Sequence, residues 1–334
     1  MKIGFAISGA ASRIAQEMVL LKHLVQGRAF HEPQGRPVVP DVVSGSSSGA
    51  LNAVALNAIL LCEGLTGTTP RDCEFNWELY EQHLIGLGNH DVYVGGGIIP
   101  EAMKIVRQGA IFDTRPLRTL LQRLVNDQMK FFSLGDLPIR TYISVVERDT
   151  GRVHRLCSQI HKDLPIVDVL MASTSIPVAF PPQHLMVPGS EKPVLCFDGG
   201  VGVDGIPVNA LRDERCEDLY VIRPMAYDPQ KPSNKPSALA RFQIVSTAIR
   251  ASEYLRESLL SFALCRAVRC AGSTAYCYMP KLSYNYNLLD FTCGREQIEE
   301  TMHWVEDPGN TPLRIQDAFP DLLDDLKSIQ PGSS

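Results

Sequence analysis

The stretch Gly45-Ser46-Ser47-Ser48-Gly49 constrains this chain more than any other, because an apolar run enters it and a helix of small residues leaves it. Val42-Val43 leads in behind Pro40-Asp41, and Ala50-Leu51-Asn52-Ala53-Val54-Ala55-Leu56-Asn57-Ala58-Ile59 leads out. A strand that turns into a helix this abruptly needs glycines where a side chain would strike neighbouring backbone. The central serine then projects from a sharp, strained elbow. The helix that starts there directs backbone N–H groups and its positive dipole end at any oxyanion forming beside that serine. A Gly/Ser run alone also suits a flexible loop, but the flanking strand and helix favour the elbow. Ser47 is the candidate nucleophile, Gly45 and Gly49 permit the turn, and Ser46 and Ser48 read as bystanders.

A strand over the first eight residues, a helix from Ser12 or Arg13 to Gly27, and this second strand and helix make the pattern of a parallel α/β sheet with its functional loops at the strands' C-terminal ends. From 62 to 110 the pattern weakens, and the segment reads as a cap made mobile by Gly95-Gly96-Gly97. A helix is expected after Asp113-Thr114-Arg115-Pro116. Strands at 140–146 and 152–156 turn back at Asp149-Thr150-Gly151. A helix follows at 166–173, then strands at 194–197 and 219–222. Residues 228–237 are Pro-rich and read as a linker from the core, 1–225, to a C-terminal helical extension, 238–328, of one domain spanning 1–334. In that extension Val245, Ala248, Ile249, Leu255, Leu259, Phe262 and Ala263 share a helix face with Arg250, Arg256, Arg266 and Arg269. That face suits packing on the core or, less commonly, an anionic lipid surface.

With 334 residues, 45% hydrophobic and 21% charged, the composition is that of a folded globular chain. A net charge of −5 argues against a nucleic-acid binder, which neutralises phosphate with a basic surface. No apolar stretch approaches a membrane span, and the N-terminus carries no signal-peptide pattern. A cytoplasmic location is therefore expected, with export by a signal-independent route left open. Nine cysteines without metal-type spacing read as reduced thiols.

A serine hydroxyl needs a base. None of the eight histidines lies in a recognisable catalytic setting, although His184 or His303 would be the partner in a conventional Ser-His scheme. The better candidate is Asp198 in Phe197-Asp198-Gly199-Gly200, where an apolar strand ends and two glycines allow close backbone approach. Asp-Gly-Gly is also ordinary turn chemistry.

Taken in order, these motifs resemble the patatin-like phospholipase family, which pairs an early Gly-x-Ser-x-Gly with a distant Asp-Gly-Gly/Ala. The resemblance extends to Ser8-Gly9-Ala10-Ala11-Ser12-Arg13, to Phe112-Asp113-Thr114-Arg115-Pro116-Leu117 and to Ala172 through Pro182, and covers residues 1–225. It implies a three-layer α/β/α fold with a mostly parallel sheet, and a lipid acyl hydrolase working through a Ser47–Asp198 dyad. It further implies an oxyanion hole from the backbone of Gly9, Ala10 and Ala11, with Arg13 supporting the loop or a lipid phosphate. No metal or cofactor is needed, and the substrate would be a phospholipid or other acyl lipid met by peripheral membrane contact. The chain departs from the family where Gly9-Ala10-Ala11 replaces three glycines and Ile14 replaces a fourth. Alanine resists positive φ, so a reshaped hole and low basal activity are expected. An acyltransferase and a regulatory, lipid-binding protein awaiting an activating partner are the alternatives.

Overall fold

The computed structural model describes residues 1–27, 37–68, 74–95, 110–234 and 274–318. Among the described residues nine strands form one sheet: β1 (Ile3–Ile7), β2 (Val42–Gly45), β3 (Arg140–Glu147), β4 (Val153–Cys157), β5 (Gln183–Leu185), β6 (Val194–Asp198), β7 (Asp218–Ile222), β8 (Thr274–Tyr278) and β9 (Leu313–Arg314). The order β5-β6-β3-β2-β1-β7-β8-β9 has a parallel centre from β3 to β8, while β4, β5, β6 and β9 pair antiparallel.

Strands buried on both faces read as continuous apolar runs, and those of the centre are divided residue by residue. Phe5, Ile7, Val43, Tyr220 and Ile222 join the large core built with α1 (Ile14–Val25) and α2 (Ser48–Cys62). Ala6, Val42, Leu219 and Val221 join Ile206, Val208 and Leu211 on the opposite face. This is the three-layer α/β/α arrangement.

Between the first layers and β3 come α3 (Trp77–Gly86), α4 (Asn89–Val92) and α5 (Arg115–Leu121). Asn76 caps α3 by accepting the Leu79 N–H at 2.9 Å. Trp77, Tyr80, Leu84 and Val92 from this stretch are buried in the main core, while Gly96 and Gly97 lie outside the described residues. The expected helix at 166–173 is α6 (Ile166–Ser173), and α7 (Val208–Asp213) precedes β7.

Beyond β7 the structure departs from the expectation of linker and helices. Residues 228–234 are fastened along Asn285, whose Nδ2 donates to the carbonyls of Asp228 and Lys231 at 2.6 and 2.8 Å. A proline-rich run keeps its carbonyls as acceptors, so composition does not reveal whether anything binds them. The region expected to be helical also supplies two strands: β8 pairs with β7, and β9 with β8. Its helix α8 (Gly294–Glu306) packs on α1, where Gln16 Nε2 donates to Gln297 Oε1 at 2.9 Å. The Arg-bearing face expected over 245–269 lies outside the described residues. Cys157, Cys196, Cys216, Cys277 and Cys293 are free and buried, but Cys62 is disulfide-bonded, which corrects the expectation of reduced thiols throughout. A bridge depends on Cα atoms meeting within about 4.4–6.8 Å, which spacing along a chain does not fix.

Candidate active site

The site is made by two strands that meet end to end. β4 covers one edge of β3, so β2 and β6 share the other edge. β2 runs parallel to β3 and ends with Gly45 opposite Ile143; β6 runs antiparallel and ends with Asp198 opposite Val145. Their C-terminal ends therefore converge on Ser144 from opposite directions. Ser47 follows one end and Asp198 is the other.

Ser47 caps α2 with φ 54° and ψ −129°, a conformation that costs an L-residue about 1–3 kcal/mol. Its Oγ donates to Asp198 Oδ2 at 2.6 Å, and both residues are buried. Asp198 Oδ1 accepts the Gly200 N–H at 2.6 Å, so the Gly199–Val201 turn orients the carboxylate. Backbone bonds to one short segment fix the pair. The Ser47 N–H donates to Ser173 Oγ at 3.0 Å, Ser173 Oγ donates to the Ser144 carbonyl at 2.9 Å, and the Asp198 N–H donates to the Ser175 carbonyl at 3.0 Å. The phrase around Ser173 to Pro177 thus ties the elbow to the aspartate's strand.

Close approach of neighbouring atoms demands glycine at Gly9, Gly45, Gly49 and Gly199. A Cβ on Gly9 would lie 2.2 Å from Ser47 Cβ, and one on Gly49 would lie 2.2 Å from the Ile7 carbonyl oxygen. Gly45 ends β2, and Gly199 and Gly200 form the turn after β6. The Gly9–Ala11 loop therefore lies directly against Ser47, but its members differ. Ala11 takes φ 49°, the conformation a glycine would hold without strain, and lines a cavity together with Ser47. The Ala10 N–H instead donates to Ser48 Oγ at 2.9 Å and is engaged within the protein. Arg13 is buried, with Nε and Nη2 donating to the Tyr286 carbonyl at 3.0 and 2.8 Å and Nη1 to that of Met225 at 3.0 Å. These bonds join the start of α1 to the segments around Met225 and Tyr286.

The cavity opening on Ser47 is apolar, walled by Leu51, Leu84, Leu117, Leu121, Leu170 and Phe180 among others. Phe180 and Phe291 on its wall belong to an aromatic cluster in which Tyr93 stacks at a tilt on Phe112, with centroids 4.5 Å apart, and meets Phe291 edge-on at 6.4 Å. Burial and the charge of Asp290 push the Tyr93 phenol up to about 12, so it stays a hydrogen-bond donor, to the Leu289 carbonyl. The Phe112 and Phe180 motifs join where the Phe112 N–H donates to the Ala179 carbonyl at 3.0 Å.

Neither histidine weighed for a Ser-His scheme is buried: His184 sits exposed on β5 and His303 exposed on α8. His83 lines the cavity with Ser47, and its Nε2 is hydrogen-bonded to Gln128 Oε1 at 2.7 Å. Among the described residues no cluster of His, Cys, Asp and Glu is placed to hold a metal ion, and no helix is long and apolar enough to cross a membrane. Residue patterns missed Ser48, Ser144, Ser173 and the buried Glu17. A serine or one helical glutamate carries no signal until the fold shows its neighbours. Only the Ala172–Pro182 phrase, by its resemblance, pointed near Ser173.

The model of a family described as patatin-like phospholipase matches residues 5–212. No curated protein matches the chain. Among solved structures, VipD from Legionella pneumophila aligns at 12% identity and a TM-score of 0.32, covering 91% of this chain and 66% of that one, an overlap too loose to bear on function.

Proposed function

The chain belongs to the patatin-like phospholipase family, whose members are lipid acyl hydrolases, and from that premise we propose that it cleaves carboxylic esters of phospholipids or related acyl lipids through a Ser47–Asp198 dyad. The observation that carries the reading is the 2.6 Å hydrogen bond from Ser47 Oγ to Asp198 Oδ2 beside an apolar cavity.

In this reading an acyl chain lies in the cavity and its ester carbonyl reaches Ser47. As Oγ bonds to the carbonyl carbon, its proton passes to Asp198 Oδ2 and the carbonyl π pair moves onto oxygen. Backbone amides of Gly9 and Ala11, with the N-terminal end of α2, stabilise that oxyanion; each such donor is worth about 10²–10³ in rate. The intermediate collapses, the C–O bond to the leaving alcohol breaks, and Asp198 returns the proton to that alcohol. Water then attacks the Ser47 acyl ester with Asp198 again as base, releasing the fatty acid and restoring the serine. No step requires a metal, and hydrolysis is expected to proceed unchanged in excess EDTA.

The Ala10–Ser48 hydrogen bond favours a second reading, a protein of low turnover awaiting lipid or an activating partner, because it withholds one expected donor. Fatty-acid release from mixed phospholipid vesicles, compared with Ser47→Ala, separates the two. Serine-dependent release supports the hydrolase, acyl esters of added alcohols would mark an acyltransferase, and lipid binding without turnover would support the low-turnover protein.

A further inference from the structure

A run of buried hydrogen bonds reaches from the cavity wall to the loop against Ser47. Tyr80, on α3, lines the cavity and donates its hydroxyl to Asn52 Oδ1 at 2.8 Å. Asn52 Nδ2 donates to Glu17 Oε2 at 2.8 Å, Ser48 Oγ donates to the same oxygen at 3.3 Å, and the Ala10 N–H donates to Ser48 Oγ. All four side chains are buried, Glu17 completely. Burial, followed by the Glu17 charge, holds the Tyr80 phenol well above its ordinary range, so it remains a donor.

The directions of these bonds agree with one another. Glu17 Oε2 accepts from the Asn52 amide on one side and the Ser48 hydroxyl on the other, which fixes the orientation of both. Asn52 then presents its oxygen to Tyr80, and Ser48 presents a lone pair to Ala10. Removing one member leaves its buried partner unpaired: without the Ser48 hydroxyl the Ala10 N–H loses its acceptor, and without the Tyr80 hydroxyl Asn52 Oδ1 loses its donor. The loop also needs an outside restraint, because Ala11 stands at φ 49°, which an L-residue leaves readily.

We propose that Tyr80, Asn52, Glu17 and Ser48 are positioning residues that set the Gly9–Ala11 loop, so that the wall meeting the acyl chain is tied to the amides facing Ser47. Its consequence for rate rests on the acyl-hydrolase reading; the tie itself does not.

The test uses the full chain as wild type, Ser48→Ala, Tyr80→Phe and the double variant. Hydrogen exchange of the Ala10 amide is followed by NMR, and kcat and KM are measured on a soluble acyl ester. Ser48→Ala is expected to speed exchange at Ala10 by about tenfold and Tyr80→Phe by several-fold, each with Tm lowered by only a few degrees, because one buried polar group is left unpaired. The double variant is expected to match Ser48→Ala alone, because both changes cut one path. kcat is expected to fall by about tenfold in Ser48→Ala with KM constant, and again without additivity. Unaltered Ala10 exchange in Tyr80→Phe, additive effects, or a faster reaction once the Ala10 amide is released would overturn the relay. If Ser48→Ala does not fold, Tyr80→Phe, which deletes one oxygen, decides the matter by exchange. A wild type inert toward esters that still shows the exchange pattern would remove the hydrolase reading and leave the relay standing.

Discussion

Asp198 and Asp204 lie on one glycine-rich turn, at 3% and 0% exposure, yet the structure partners them differently. Asp198 offers Oδ2 to the Ser47 hydroxyl and Oδ1 to the Gly200 N–H. Asp204 is gripped on both oxygens: Arg155 Nε and Nη2 donate at 2.6 and 2.9 Å, Asn209 Nδ2 at 2.8 Å and Ser144 Oγ at 2.9 Å. A bidentate fork with two further donors engages the Asp204 lone pairs within the protein. One carboxyl meets a serine hydroxyl, where the proposed reaction needs a base, and the other anchors the turn between them and α7. Burial does not distinguish them; the identity of the donors does.

The comparison is broken first by removing each acid. Asp198→Asn and Ser47→Ala are expected to lower acyl-ester turnover by at least about 10³-fold, with the circular dichroism spectrum intact. Asp204→Asn should act chiefly on stability. Leaving the Arg155 guanidinium without its buried partner is expected to cost about 3 kcal/mol in urea unfolding, with a smaller loss of rate that follows the loosened turn. If Asp204→Asn abolished turnover at full stability, the assignment of roles would be reversed.

A third acid, Glu214, sharpens the contrast from the far end of the sheet. Burial works to raise its carboxyl, but hydrogen bonds from Lys2, Tyr142 and Arg140 outweigh burial and hold it down at about 2, against an ordinary value of 4.5. Because the folded value lies below the unfolded one, the stabilisation is present above about pH 4.5 and fades as pH falls toward 2. Glu214→Gln should flatten the loss of Tm across that window while leaving the pH profile of turnover near neutrality unmoved. The smallest effect is expected at Ala11→Gly. Relief of the positive φ and the greater unfolded-chain freedom of glycine nearly cancel, so stability should shift by less than about 1 kcal/mol, as read by thermal unfolding.

What was legible in the chain divides along similar lines. Ser47 and Asp198 stand in contiguous motifs whose glycines advertise tight turns, and β1, β2, α2, β3, β4, α6, β6 and β7 carry periodic or apolar signals long enough to read. That the two motifs meet was not legible from the residues alone, since it depends on β2 and β6 sharing one edge of β3 from opposite directions. The strands β5 and β9 are too short for a pattern, and β8 lies beyond a segment whose prolines suggested an end to the core. Ser48 was passed over because a hydroxyl's role lies in its partners, here the Ala10 amide and the Glu17 carboxylate.

The most direct measurement is the intact mass of the protein after exposure to a fluorophosphonate, with the modified residue located by peptide sequencing, in wild type, Ser47→Ala and Asp198→Asn. The account predicts one phosphonyl group on Ser47 in the wild type, none in Ser47→Ala and greatly slowed labelling in Asp198→Asn. A folded wild type that takes up no label, or one labelled equally fast without Asp198, would contradict it.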